Sequence, residues 1–240
     1  PVAVRSIGPD LVFGRLWRES GLPAILGGLL EGRRYEFDVE RAIYLTVLHR
    51  LFAPGSDRAA ERWREDYRIP GAEELELQHL YRAMVWLGEP VEGEESIPGS
   101  PRCTKDRIEE ALFDRGRDLF SGVDVVFFDT TSIYFEGEGG QTLGQRGHSK
   151  DSRPDLKQMI VGIAMDAAGK PLCCEMWPGN TADAKTLLPV VERMRKRFRI
   201  REVGVVADRG MISEATIAAM EANDPPVRYI LGARMRRHKE

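Results

Sequence analysis

Two apolar runs in this chain each climb to a single aspartate. VDVVFFDTTSIYF (123–135) rises through four hydrophobic residues to Asp129 and passes into Thr130, Thr131 and Ser132. EVGVVAD (202–208) rises to Asp208, which Arg209 and Gly210 follow. A carboxylate beside buried apolar residues is costly unless something positive meets it. Two such carboxylates held side by side raise each other's pKa unless a cation joins them. A hard divalent ion fits, because it prefers carboxylate oxygens and retains waters for substrate. A pair of such ions about 3.5–4 Å apart supports in-line phosphoryl transfer, one activating a nucleophile and the other stabilising the leaving oxygen. The simpler reading stays open at both positions, since an aspartate after a strand is often a turn former or a helix cap.

The chemistry depends on whether the fold brings the two residues together. Residues 123–135, 158–166 (QMIVGIAMD) and 171–177 (PLCCEMW) read as strands, the last two joined by a hairpin with Gly169 in its turn. The PGN triplet at 178–180 breaks the chain. Leu187, Val191, Met194 and Phe198 mark a helix that begins near Asp183. Residues 202–208 form a short strand, 213–223 a helix with Ser213 as N-cap, and 227–234 a last strand. Three consecutive strands without helices suggest an antiparallel meander, and the helix at 183–198 allows a crossover to a strand parallel to the first. The expected fold class is α/β: an RNase H-like mixed sheet with flanking helices, in which the strands of Asp129 and Asp208 are neighbours.

Residues 1–120 read as helices. Ile43, Val47 and Leu51 recur four apart; Ala60, Trp63 and Tyr67 recur at three and four. Leu77, Leu80, Met84 and Leu87, and Ile108 with Leu112 and Leu119, follow the same period. Trp63 and Trp86 fall on these stripes and are expected in the core. GEPVEGEESIPGSP (88–101) reads as a linker or long exposed loop. The expected domains are therefore a helical region, 1–120, and an RNase H-like domain, 121–240.

Composition adds limits. Of 240 residues, 42% are hydrophobic and 30% charged, the profile of a globular protein, and no apolar stretch reaches membrane-spanning length. Cys103, Cys173 and Cys174 form no CxxC pair, which argues against structural zinc and suits a reducing, cytoplasmic setting. The net charge of −3 is uneven: residues 1–120 hold 17 Lys/Arg against 22 Asp/Glu, and residues 121–240 hold 18 against 16. An anionic partner would prefer the second half. The first residue is Pro and the last residues, RMRRHKE, carry no cap, so the chain is expected to be a fragment of a longer one.

The stretches FFDTTSIYFEG, GQRGHSKDSRPDLKQMIVGI, KPLCCEMWPGNTADAKTLLPVVERM, VVADRGMIS and YILGAR, in this order, resemble a bacterial insertion-sequence transposase of the DDE class over residues 120–235. The resemblance implies Asp129 and Asp208 as the first and second catalytic aspartates, Mg²⁺ as cofactor with Mn²⁺ as a substitute, and double-stranded DNA, both element ends and target, as partner. It implies a homodimer on DNA and a bacterial cytoplasmic, nucleoid-associated location. It also implies a third acid, a glutamate on a helix after the last strand. Glu214 and Glu221 precede that strand and Glu240 comes too early, so the glutamate is expected to be missing and the chain alone inactive. A non-catalytic DNA-binding or regulatory fragment is then the alternative. A phosphatase of the haloacid-dehalogenase type is disfavoured, because its second aspartate would stand where this chain has Thr131.

Beside the proposed site, the loop QRGHSKDSRPDLK (145–157) carries Arg146, Lys150, Arg153 and Lys157, which with Arg209 are candidates for contacting DNA phosphates. The same loop reads equally well as an ordinary solvated one, and His148 reads as a loop residue rather than a metal ligand. Arg193, Arg195, Lys196, Arg197 and Arg199 crowd one helix end, where the helix dipole favours cations without further partners.

Overall fold

A computed structural model describes residues 4–91, 102–116, 125–147, 152–182, 186–199, 204–207, 213–224 and 226–232. The chain divides into two compact units: Pro1–Gly93 with Cys103–Gly116, and Glu94–Arg102 with Arg117–Glu240.

The first unit is helical: α1 (Gly8–Ser20), α2 (Leu22–Leu30), α3 (Val39–Phe52), α4 (Asp57–Trp63), α5 (Leu77–Leu87) and α6 (Thr104–Gly116). Side-chain caps set two of the starts. Asp38 accepts from the Arg41 amide at 3.0 Å ahead of α3, and Ser56 from the Ala59 amide at 3.2 Å ahead of α4. Helix α3 packs against α1, α2, α4 and α5. This central place explains a departure from the expected stripe. Ile43 is buried, but Val47 and Leu51 are exposed, and α3 instead buries Ala42, Tyr44, Leu45, Leu48 and His49. A helix surrounded by neighbours buries most of its circumference, so a single apolar stripe does not identify its inner face. Trp86 is buried and Trp63 packs half-buried against the same core, stacked on Tyr67 at 4.1 Å.

The second unit holds a five-stranded sheet: β1 (Val125–Tyr134), β2 (Gln158–Asp166), β3 (Pro171–Pro178), β4 (Gly204–Ala207) and β5 (Arg228–Leu231), in the order β3-β2-β1-β4-β5. Strands β1, β2 and β3 form an antiparallel meander, while β4 is parallel to β1 and β5 parallel to β4. Helix α7 (Leu187–Phe198) lies between β3 and β4 in sequence, and α8 (Glu214–Glu221) between β4 and β5. This is the RNase H-like topology expected from the run of strand and helix signals. The described part of α7 begins at Leu187, and residues 183–185 lie outside the described residues. Ser213 caps α8 as expected, accepting from the Thr216 amide at 3.0 Å.

The two faces of the sheet differ. On β1, Val126, Phe128, Thr130 and Ser132 are buried, whereas Phe127, Asp129, Thr131 and Ile133 are exposed. That alternation is the period-two signature of a half-buried strand. Helix α7 is tied to the buried face by ions as well as by apolar packing: Arg193 and Arg197 both pair with Glu175 of β3. The cluster of basic residues in α7 is therefore more than a dipole effect, because two of its members are buried against a carboxylate. Gly162 of β2 makes room on the same face, since a Cβ there would stand 2.8 Å from both Phe128 and Trp177.

Candidate catalytic edge and basic loop

Asp129 sits on the central strand of the sheet, on its exposed face, opposite Ile163 of β2. It lies inside its strand, which continues to Tyr134, in keeping with the reading of 123–135 as one strand. Its Oδ1 accepts the Thr130 backbone amide at 2.8 Å, and no described residue donates to its second oxygen. That oxygen is the one available to a hard cation. Among the described residues no group of three or more His, Cys, Asp or Glu side chains is placed to hold a metal ion.

The parallel register aligns β1 with β4 as far as Phe128. Val126 pairs with Val205, Phe127 with Val206 and Phe128 with Ala207, the last residue of β4. Asp208 is the next residue in sequence and lies outside the described residues, as does Arg209. Glu214 and Glu221, the carboxylates that bound α8, stand between β4 and β5 in the chain.

The connection from β1 to β2 carries the basic candidates. Its middle is pinned to the sheet. Gln145 and Gln158 exchange backbone bonds at 3.1 and 2.9 Å, and the Gly179 amide donates to the Leu143 carbonyl at 3.1 Å. Only a glycine fits at 179, because a Cβ there would collide with the carbonyl oxygens of Gln158 and Gln145. The WPGN turn thus does more than break the chain: it lets three backbone segments meet.

From this anchored stretch Arg146 is exposed to solvent. Arg153 forks onto Asp155, its Nε at 2.9 Å and its Nη2 at 2.8 Å from the two carboxylate oxygens. The same guanidinium lies 5.5 Å from the ring centroid of Tyr134, the last residue of β1. Lys157 donates to Glu138 at 3.0 Å. The Arg153 hydrogen bonds hold the Asp155 carboxyl below its ordinary pKa, with Arg146 adding to the effect, and Lys157 does the same to Glu138. Lys150 and His148 lie outside the described residues. The acidic partners, Asp155 and Glu138, were not anticipated as part of this group. The Arg-x-Asp spacing of 153–155 carried a signal, whereas the reach of Glu138 across the connection to Lys157 required the hairpin.

Residues 121–239 match the model of the transposase DDE domain family. Among solved structures, the chain is similar to a Mos1 transposase paired-end complex with the left transposon end, at 14% identity and a TM-score of 0.31, covering 83% of this chain and 60% of that one. It is similar to a piggyBac transposase synaptic complex with hairpin DNA, at 10% identity and a TM-score of 0.41, covering 92% and 48%. It is also similar to a Mos1 mariner paired-end complex with Mn, at 14% identity and a TM-score of 0.29, covering 82% and 59%. The chain thus spans about half to three fifths of the length of these proteins. No curated protein matches it.

Proposed function

We propose, from the premise that residues 121–239 belong to the transposase DDE domain family, that this chain supplies the two-aspartate part of a DNA transposase active site. The reaction is divalent-metal-dependent cleavage and transfer of phosphodiester strands at the ends of a transposable element. The observation that carries the reading is the parallel pairing of β1 with β4, in which the residue before Asp129 is in register with the residue before Asp208. Asp129 and Asp208 would hold the metal, Mg²⁺ with Mn²⁺ as a substitute. When bound, it would lower the pKa of an attacking water and neutralise charge on the phosphate. Asp129 is suited to this by its place on the exposed face of the sheet, and the Thr130 amide, donating to Oδ1, orients its carboxylate. Arg146, Arg153 and Lys157, with Lys150 and Arg209, would contact backbone phosphates and set the register of the duplex. The helical region, residues 1–120, would serve DNA binding or pairing of two copies on DNA, and the location would be the bacterial cytoplasm.

A third acid is required to complete the family's constellation. Glu214 and Glu221 precede β5 in the chain, so neither takes that place by sequence order. The alternative, a DNA-binding chain that does not cut by itself, follows from this. One assay separates the two: strand cleavage of a duplex carrying the element end, with and without Mg²⁺ or Mn²⁺. Catalysis predicts metal-dependent nicking by the protein that supplies all three acids, and loss of about a hundredfold to a thousandfold or more for Asp129→Asn or Asp208→Asn, with DNA binding kept within about twofold. Cleavage at the original rate in either variant would remove that residue from the mechanism. Binding without any metal-dependent nicking would favour the alternative.

A further inference from the structure

We propose that Asp155 and Glu138 occupy the places of two DNA phosphates, and that the end of β1 is a phosphodiester-binding surface whose cations are held in position by these internal substitutes. The inference rests on the DNA-binding reading above and goes beyond it by assigning roles to two acidic residues. Its basis is the geometry of the contacts. Arg153 engages Asp155 through two parallel N–H···O bonds of 2.9 and 2.8 Å, the fork that a guanidinium also forms with a phosphate. The Tyr134 ring lies against the guanidinium, restricting the directions in which it can donate. Lys157 meets Glu138 as a point charge at 3.0 Å.

Both pairs are solvent-accessible, so an incoming anion can reach them. Arg153 and Asp155 side chains are 45% and 60% exposed, and those of Lys157 and Glu138 are 37% and 98% exposed. Exposed ion pairs of this kind contribute little to folding, which leaves them free to exchange partners. A duplex offers a regular series of phosphates in place of two isolated carboxylates. It also releases condensed counterions when the exchange occurs. The cations are thus pre-oriented without DNA, and the carboxylates must be displaced before DNA binds. The Arg153 hydrogen bonds hold the Asp155 carboxyl below its ordinary pKa, and the charge of Arg146 adds to that effect. The consequence is a surface tuned against loose binding: a duplex gains only the difference between its phosphates and the carboxylates already in place.

A double-mutant cycle tests this with the full chain and a short fluorescent DNA duplex of arbitrary sequence, measured by anisotropy at about 50 mM salt. Asp155→Asn is expected to lower Kd about two- to fivefold, and Glu138→Gln to do the same. Arg153→Ala is expected to raise Kd. In the Arg153→Ala background the gain from Asp155→Asn should vanish, and in a Lys157→Ala background the gain from Glu138→Gln should vanish. If those gains persist unchanged, the carboxylates act only through overall charge and the inference fails. If Asp155→Asn and Glu138→Gln leave Kd unchanged or raise it while Arg153→Ala weakens binding, the inference fails and the DNA-binding reading stands. If the unaltered chain binds no duplex at low salt, both fall together. Circular dichroism of each variant checks folding, and because all four side chains are exposed the conservative variants leave the core untouched.

Discussion

Asp129 could be picked out in the sequence because a run of β-branched and aromatic residues flags a strand, and an acid at the head of that run has no apolar reason to be there. What the sequence could not supply was which side its neighbours face: Thr130 and Ser132, polar residues within the strand, lie on the buried side of β1. Elsewhere, single residues concealed their surroundings more fully. His49 falls at the end of a helical stripe with nothing to mark it. In the structure it is buried, with its ring edge-on to Trp63 at 5.6 Å. Burial pushes its pKa below the ordinary value, Arg50 pushes it the same way, and Asp57 opposes them. The consequence for stability has a definite sign. The unfolded chain protonates this histidine as pH falls through about 6.5, while the folded chain resists until lower pH. The unfolded state therefore binds more protons in that window, and stability is lost as pH falls. His49→Phe keeps an aromatic ring and removes the titration. The melting temperature of that variant is expected to vary less between about pH 7 and 5 than that of the unaltered chain. An equal acid slope in both proteins would assign the loss to other groups.

At the scale of elements, the sheet was legible because strands and their crossovers leave local marks. Gly169 at the hairpin, the PGN break and the change from period two to period 3.6 each fall within a few residues of a boundary. Two elements were misread for one reason: helix periodicity reports that a face is apolar and is silent about what meets it. Val47 and Leu51 looked inward but face out. Arg193 and Arg197 looked like solvated cations at a helix end, yet both are buried on Glu175, whose side chain is 2% exposed. A charge pair brings its partner from another element, and a sequence window contains only one of the two. The energetic prediction follows from burial. Glu175→Ala removes the buried carboxylate that both guanidiniums meet and is expected to cost about 3–5 kcal/mol, read as a lower urea midpoint. Replacing all three residues together, Glu175→Leu with Arg193→Met and Arg197→Met, is expected to be much closer to neutral. If the triple variant is as unstable as the single one, the ion cluster itself, rather than the buried charge left by its disruption, holds α7 to the sheet.

At the scale of the whole molecule, charge decides how the proposed DNA partner would be held. With a net charge of −3, the chain as a whole does not attract a polyanion. The first 120 residues carry more acid than base, and the excess of base in the remainder is small. On the proposed DNA-binding reading, affinity would come from local cations close to the strand of Asp129, each neutralising one phosphate. Such a mode has a measurable signature, since every phosphate contact contributes about −0.9 to the slope of log K against log salt. If Arg146, Arg153 and Lys157 alone make contact, the slope is about −2.7, and raising salt from about 50 to about 200 mM weakens binding about 40-fold. If Lys150 and Arg209 join them, the slope is about −4.5 and the loss about 500-fold. Each alanine substitution among the contacting residues should then reduce the magnitude of the slope by about 0.9, uniformly across DNA sequences. A slope near zero would mean that the duplex is held by groups other than these cations. A slope well beyond −4.5 would bring in the helical half, whose arginines would then contact phosphates despite its overall negative charge.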